Sequence, residues 1–250
     1  AALPGELDPF LPEGTPRGRR MILVDEWGPV DPREVRVFPA HVEGGAHADV
    51  SVLGTSGRFR VVSLTDGFVA DPAEGALPAA VAIRRAPGAR GGPAAFEVAI
   101  EAGGRTHRAT GTVFTTTWDV RWFRWETDPR EDAAAFDALV AGEPVLRQSV
   151  DALDFRWQGG APAPEVGPDR FATLATTTVE LPAGRYVLAT VSDDGIRVRV
   201  DGAVVVLDWT HHGPTPHEVV LDLAAGPHEI RVEHFEIDGW AVLSVRLRPE

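Results

Sequence analysis

Residues 186–209 read YVLATVSDDGIRVRVDGAVVVLDW, and this stretch decides the fold. Two strand-like runs, Ile196–Val200 and 203–207, flank Asp201-Gly202. That dipeptide is the strongest short-range hairpin signal, because a type I′ turn needs positive φ at both central residues. Ile196, Val198 and Val200 alternate with Arg197 and Arg199, which predicts one buried and one wet face. Just upstream, Asp193 and Asp194 stand side by side before Gly195. Adjacent like charges repel unless a cation or several donors compensate. The pair is expected to tip a hairpin and to face an open pocket.

Working outward, an ordered series of short motifs surrounds this stretch. Phe155-Arg156-Trp157, Asp169-Arg170-Phe171 and Leu181-Pro182-Ala183-Gly184-Arg185-Tyr186 precede Ser192-Asp193-Asp194-Gly195 and Val200-Asp201-Gly202. Trp209, Leu223-Ala224-Ala225-Gly226-Pro227-His228 and Glu233-His234-Phe235 follow. In order and spacing, the segment from about 154 to 247 resembles a PA14 module, the β-sandwich domain of bacterial toxins, yeast adhesins and many secreted glycosidases. In the sugar-binding yeast members a matching acidic pair, joined by a cis peptide, binds Ca²⁺ that in turn holds sugar hydroxyls. The resemblance therefore implies Ca²⁺ at Asp193 and Asp194. Calcium takes about six to eight oxygens, so Glu236 or Asp238 is expected to join them. The adhesins' ion-binding loop carries an Asn, whereas this chain has none. A plainer reading has one Asp capping loop amides while the other faces solvent.

The second half also contains an internal echo. Residues 179–186 lead through a strand to Asp193-Asp194-Gly195, and residues 220–228 lead to Glu236-Ile237-Asp238-Gly239. The pattern reads as a hairpin built twice. Beyond it, residues 241–248 place Leu243, Val245 and Leu247 inward as a final strand.

Trp209-Thr210-His211-His212 opens a loop that ends at His217. An exposed Trp209 flanked by His211 and His212 is suited to stack on a pyranose and bond its hydroxyls. The plainer alternative puts Trp209 in the core. A transition metal held by the three imidazoles, serving a hydrolase, ranks below both, because this spacing matches no recognised ligand pattern. Trp118 and Trp122 share one face of a strand and Trp125 lies on the other with Phe123, an arrangement read as core packing.

The first half reads as short strands with turn punctuation, at 34–38, 50–53, 58–64, 79–84, 96–101, 107–114 and 119–125. Gly103-Gly104 marks a hairpin. Residues 1–20, rich in Pro and Gly, read as an extended lead. A strand begins at Met21, and Asp25-Glu26-Trp27-Gly28-Pro29 resembles segments that precede PA14 modules in large secreted bacterial proteins. A helix is expected after Asp128 as N-cap, with Pro129 first, Glu131 closing a capping box and Gly142 ending it. It is read as the connector between domains.

A chain of 250 residues accommodates one large or two ordinary domains. Its net charge of −13 argues against nucleic-acid binding, which needs basic patches, and against an anionic membrane surface. No apolar run reaches membrane-spanning length. Absence of Cys excludes disulfides, thiolate metal sites and cysteine nucleophiles. The start without Met is read as a processed or excised end. No phosphate-cradling loop, HExxH or nucleophile elbow is present.

The expectation is an all-β chain of two β-sandwich domains, immunoglobulin- or fibronectin-like and then PA14-like, joined by a short α-helix. The divisions are an extended lead (1–20), a first sandwich (21–126), a helical connector (127–148) and the PA14-like sandwich (149–250). The functional expectation is a non-catalytic, extracytoplasmic (secreted, periplasmic or surface) bacterial accessory module. It recognises a glycan or cell-surface polysaccharide through Asp193, Asp194, Trp209, His211, His212 and Asp238. Ca²⁺ is held by Asp193, Asp194, Glu236 and Asp238, with no nucleic-acid or membrane partner. The alternative is a structural spacer that positions other domains of a longer chain.

Overall fold

The structure, a computed structural model, describes the backbone of residues 36–38, 41–44 and 47–53, and residues 57–250 except 103. The expected lead, the strand at Met21 and the 25–29 segment lie outside the described residues.

Among the described residues nine strands form the first sandwich: β1 (Arg36–Phe38), β2 (His41–Gly44), β3 (His47–Leu53), β4 (Arg58–Leu64), β5 (Phe68–Asp71), β6 (Glu74–Ala76), β7 (Ala79–Arg85), β8 (Gly92–Ala102) and β9 (Arg105–Thr115). They make a four-stranded sheet, β1-β3-β7-β5, and a five-stranded sheet, β2-β9-β8-β4-β6. Between them lies an apolar core that includes Phe59, Val81, Ile83, Phe96, Val98 and Ile100. Alternation works as expected in β4, where Phe59 is buried and Arg58 and Arg60 are exposed. The β8–β9 hairpin turns between Ala102 and Arg105, with Gly104 at φ +74°.

The second sandwich begins earlier than residue 149. Strand β10 (Trp118–Arg124) follows, then α1 (Ala133–Ala141), β11 (Leu146–Val150), β12 (Leu153–Gln158), β13 (Phe171–Leu181), β14 (Gly184–Asp193), β15 (Ile196–Val200), β16 (Ala203–Asp208), β17 (Thr215–Leu223), β18 (Gly226–Glu236) and β19 (Ala241–Pro249). One sheet runs β11-β10-β13-β18-β15-β16 and the other β12-β19-β14-β17. The run at 119–125 therefore belongs to the second sandwich, not the first, and the chain passes between sandwiches at Thr116-Thr117. Strand periodicity cannot reveal which sheet a strand joins. Pairing of β10 with both β11 and β13 decides it.

The helix is correspondingly not a connector but a cap on the outer face of the six-stranded sheet. It buries Phe136 and Val140 against Phe123, Trp125, Ala172, Leu174 and Phe235. Its N-cap is Asp132, whose Oδ1 accepts from the Ala135 N–H at 2.9 Å. Asp128 instead turns the chain before it, its carbonyl accepting from Glu131 and Asp132. Gly142 caps the other end as expected.

The echo is real, but its turns are not hairpins. In each copy the strand before the turn and the strand after it lie in different sheets, so the chain arches across the core. The two arches pair with each other, β13 with β18 and β14 with β17. Both second arms, β14 and β18, run from Gly184 and Gly226 toward the same end of the sandwich. That brings Asp193 and Glu236 together at their tips.

Trp118 and Trp122 lie in the central core with Leu153, Leu188, Ile196, Leu243 and Ile230, while Trp125 and Phe123 face the helix. Leu243, Val245 and Leu247 point inward along β19. At Asp201-Gly202 the dihedrals φ are +50° and +81°, the type I′ signature.

Several contacts tie the sandwiches together, and Phe114 of β9 packs into the core of the second. Glu180 N–H donates to the Gly91 carbonyl at 2.7 Å, Arg90 pairs with Glu180 at 3.2 Å, and Arg85 donates to Thr117. A Cβ on Gly92 would sit 2.2 Å from the Glu180 carbonyl oxygen, so this approach requires glycine.

Candidate cation site and its rim

The tips of β14 and β18 carry Asp193, Asp194 and Glu236, each of which offers one carboxylate oxygen within 4.8 Å of those of the other two. The peptide between Asp193 and Asp194 is cis. Contrary to the expectation of an open pocket, the carboxylates are buried: exposure is 5% at Asp193, 1% at Asp194 and 0% at Glu236. The cause is tertiary. Phe235 lies against Gly195, and β19 pairs through Val242 with Asp193, closing the strand tips over.

The three acids are not equivalent. Asp194 accepts from the His212 N–H at 2.9 Å through Oδ1 and from the Ile237 N–H at 2.8 Å through Oδ2. It thereby clamps the two loops that frame the cluster, as the plainer reading foresaw for one Asp of the pair. Glu236 is the opposite case, since neither of its buried oxygens has a hydrogen-bond partner among the described residues. No hydrogen bond reaches the Asp193 carboxylate among the described residues either, although its carbonyl accepts from His234 Nε2 at 2.9 Å. A carbonyl only accepts, so Nε2 carries the proton. Burial pushes His234 down to about 4, and the ring is neutral.

Burial, followed by repulsion from Asp194, pushes Asp193 up to about 6. The same two causes, with smaller contributions from Asp193, Asp169 and Asp238, push Glu236 up to about 9. Asp194 is also raised, because burial outweighs its two amide donors. Buried polar atoms without partners are rare in folded proteins and mark an ion, a water or a functional strain. Three close carboxylates, two of them without a hydrogen bond among the described residues, make a hard-oxygen donor set of the kind Ca²⁺ takes, not the nitrogen and sulfur set of softer metals. The residues fit the group that the sequence resemblance implied.

The other expected residues sit around this cluster in different roles. Asp238 does not enter it; its side chain is 73% exposed at the rim. His211 Nε2 stands 3.7 Å from Asp194 Oδ1 and 3.8 Å from Asp238 Oδ1, bridging interior and rim. His212 contributes its backbone, while its ring donates from Nδ1 to the Gly213 carbonyl at 2.8 Å and lies 3.5 Å from Asp208. His217 also approaches Asp208, at 3.3 Å, yet the described residues form no three-ligand group there.

Trp209 is not an exposed stacking platform. Its ring meets Phe136 and Phe235 edge-on, each at 4.8 Å, and Arg197 lies over it at 5.1 Å. Its Nε1–H donates to the Pro129 carbonyl at 2.9 Å, tying strand β16's end to the helix entrance. The exposed aromatic at the rim is Trp240, 63% exposed, which the sequence reading passed over. Its signal was its place, four residues after Glu236 and directly after Gly239 in the acidic loop.

The family model described as PA14 domain matches residues 135–250. Anti-sigma-I factor RsgI3 of Acetivibrio thermocellus is 33% identical over 86 residues, 34% of this chain but 13% of that protein. Among solved structures, a PA14 sugar-binding domain from an RTX adhesin superposes with a TM-score of 0.42 at 17% identity, covering 54% of this chain and 90% of that one. An anti-sigma factor domain-containing protein from Clostridium clariflavum covers 89% of this chain and 88% of its own, with a TM-score of 0.43 at 12% identity. Among the described residues no helix is long and apolar enough to cross a membrane.

Proposed function

Residues 135–250 form a PA14 domain, and from that premise we propose that the chain is a non-catalytic, extracytoplasmic carbohydrate-binding module whose ligand end is the acid cluster with its rim. Asp193, Asp194 and Glu236 would hold Ca²⁺ beneath the two framing loops, and the sugar is taken at the exposed rim above them. The observation that carries the reading is Glu236, a fully buried carboxylate with both oxygens unpartnered among the described residues. A bound divalent cation would satisfy those oxygens and keep all three acids ionised, cancelling the repulsion that raises Asp193 and Glu236.

The chain's own residues supply the rest. Asp194 fixes the two framing loops by their backbone. Trp240 offers a flat apolar surface beside them, and His211 and Asp238 offer polar groups at the rim. Aromatic faces with a few convergent polar groups are the usual furniture of small-ligand sites.

Calorimetric titration of Ca²⁺ into chelator-treated protein, followed by glycan-array binding with and without EDTA, tests this reading. Saturable Ca²⁺ binding and EDTA-sensitive glycan retention are expected. Ca²⁺ binding without any retained glycan would leave a structural ion in a spacer domain. No binding of either would overturn the reading altogether.

A further inference from the structure

The end of the second sandwich that carries the acid cluster is negative beyond the cluster itself. Asp169, on the loop before β13, and Asp238, on the loop after β18, are exposed at its rim. The two loops are pinned together. Arg170 N–H donates to the Ile237 carbonyl at 3.2 Å, and Asp169 Oδ1 accepts from the Gly239 N–H at 3.4 Å. Burial aside, the leading charges that act on Glu236 are Asp194, Asp193, Asp169 and Asp238, all of them repulsive. Five carboxylates therefore converge on this end, three buried and two exposed.

The nearby guanidiniums are committed elsewhere. Arg130 is held by Asp128 at 2.7 Å, Arg124 donates to the Val166 carbonyl at 3.2 Å, and Arg170 lies over the Trp125 ring at 5.9 Å. Among the described residues, the one base that pairs with any of the five acids is His211, 3.7 Å from Asp194 and 3.8 Å from Asp238. A bound divalent cation together with a protonated His211 would still leave five ionised carboxylates in excess. The chemistry of the rim points the same way. A carboxylate accepts hydrogen bonds and cannot donate them, so Asp169 and Asp238 call for a ligand rich in donors. An ammonium brings three donors and the opposite charge, whereas a uronate or phosphate brings the wrong sign. Trp240, 63% exposed and two residues from Asp238, offers a face on which a pyranose stacks and to which a cation is drawn.

Resting on the reading of this end as a glycan site, we propose that its ligand is a polysaccharide of amino sugars with free amines, such as glucosamine units. Asp238 and Asp169 pair with the ammonium groups, and Trp240 carries a sugar ring. N-acetylation removes the charge while keeping the ring, so it marks the discrimination. The buried acids add attraction from beneath without touching the sugar.

The test is calorimetry of the full, Ca²⁺-loaded chain with a glucosamine hexamer, its fully N-acetylated form, a glucose hexamer and hexalysine. The glucosamine hexamer should bind roughly tenfold tighter than either other sugar, about 1.4 kcal/mol, and lose affinity as salt rises. Asp169→Asn combined with Asp238→Asn should abolish that preference and leave the Ca²⁺-induced rise in melting temperature intact. Should the pair loosen the loops, Asp238→Asn alone suffices, because that side chain is 73% exposed, and it should still reduce the preference. Trp240→Ala should weaken the glucosamine hexamer and leave hexalysine unaffected. Hexalysine bound as tightly as the glucosamine hexamer, or a Trp240→Ala variant that binds both as wild type does, would reduce the effect to general attraction of a polycation and overturn the proposal. Equal affinity for the three sugars, or a preference that survives both Asp substitutions, would overturn it alone and leave glycan binding at this end in place. No binding of any sugar would overturn it together with the reading on which it rests.

Discussion

Gly195 lies so close beneath the ring of Phe235 that a Cβ on the glycine would sit 2.3 Å from the ring's Cε1. Phe235 N–H in turn donates to the Gly195 carbonyl at 3.0 Å. The glycine after the two aspartates is therefore set by packing as well as by turning. Gly195→Ala must push the ring or the Asp194 loop aside. A loss of about 3 kcal/mol is expected in chemical denaturation, since overpacking a filled core has nowhere to relax. Wild-type stability in this variant would show that the ring moves freely.

Glu236 separates the role of a cation from that of the fold. Burial already favours its neutral form, so Glu236→Gln should leave the melting temperature in chelator little changed. The variant should lose the Ca²⁺-induced rise, which at a hundredfold excess over Kd amounts to about 2.7 kcal/mol. Thermal melts in EDTA and in Ca²⁺ make the comparison. A variant that still gains stability from Ca²⁺ would place the ion elsewhere.

His228 is held above its ordinary value, first by its bond to the Ala224 carbonyl at 2.9 Å and then by the Asp201 carboxylate at 2.6 Å. A base whose folded value is raised stabilises the native state fully below its unfolded value near 6.5 and loses that contribution as pH rises through the folded value. Stability should therefore decline across this window in wild type. Asp201→Asn, which still tolerates the positive φ of the turn, should remove only the part of the decline that Asp201 gives His228. The remainder comes from the Ala224 carbonyl and from the raised Asp193 and Glu236. Urea midpoints collected from about pH 5 to pH 9 at constant Ca²⁺ concentration would reveal it.

Two tryptophans near the site should behave oppositely. Trp209→Ala removes the wedge between Phe136 and Phe235 and should cost about 3 kcal/mol, loosening the helix. Trp240→Ala removes a ring that is 63% exposed and should leave the melting temperature unchanged while weakening glycan retention. If Trp240→Ala binds glycan as wild type does, the rim platform is not part of the ligand site.

Much of this molecule was legible before any coordinates. Period-two alternation in Ile196–Val200, the positive-φ pair Asp201-Gly202 and the two faces of the Trp118–Trp125 run are local properties, dictated by backbone sterics and by the reach of each side chain. They hold as read. The acidic pair and the echoing Glu236 loop were visible for the same reason: they lie at fixed distances from turn residues that any chain must obey.

What lay beyond the sequence were the decisions made between segments distant in the chain. Strand periodicity says that 119–125 is a strand but not which sheet accepts it. A tight turn at 182–183 looks the same whether its arms pair or arch across a core. Trp209 and Trp240 are equally apolar, yet only packing against Phe136 and Phe235 withdraws one and leaves the other at the rim. Above all, burial of Asp193, Asp194 and Glu236 comes from the pairing of two arches and the closing of β19. Their approach, and the repulsion it creates, is a property of the folded sheet alone, because carboxylates forty residues apart repel appreciably only once the fold has brought them together in a water-poor interior.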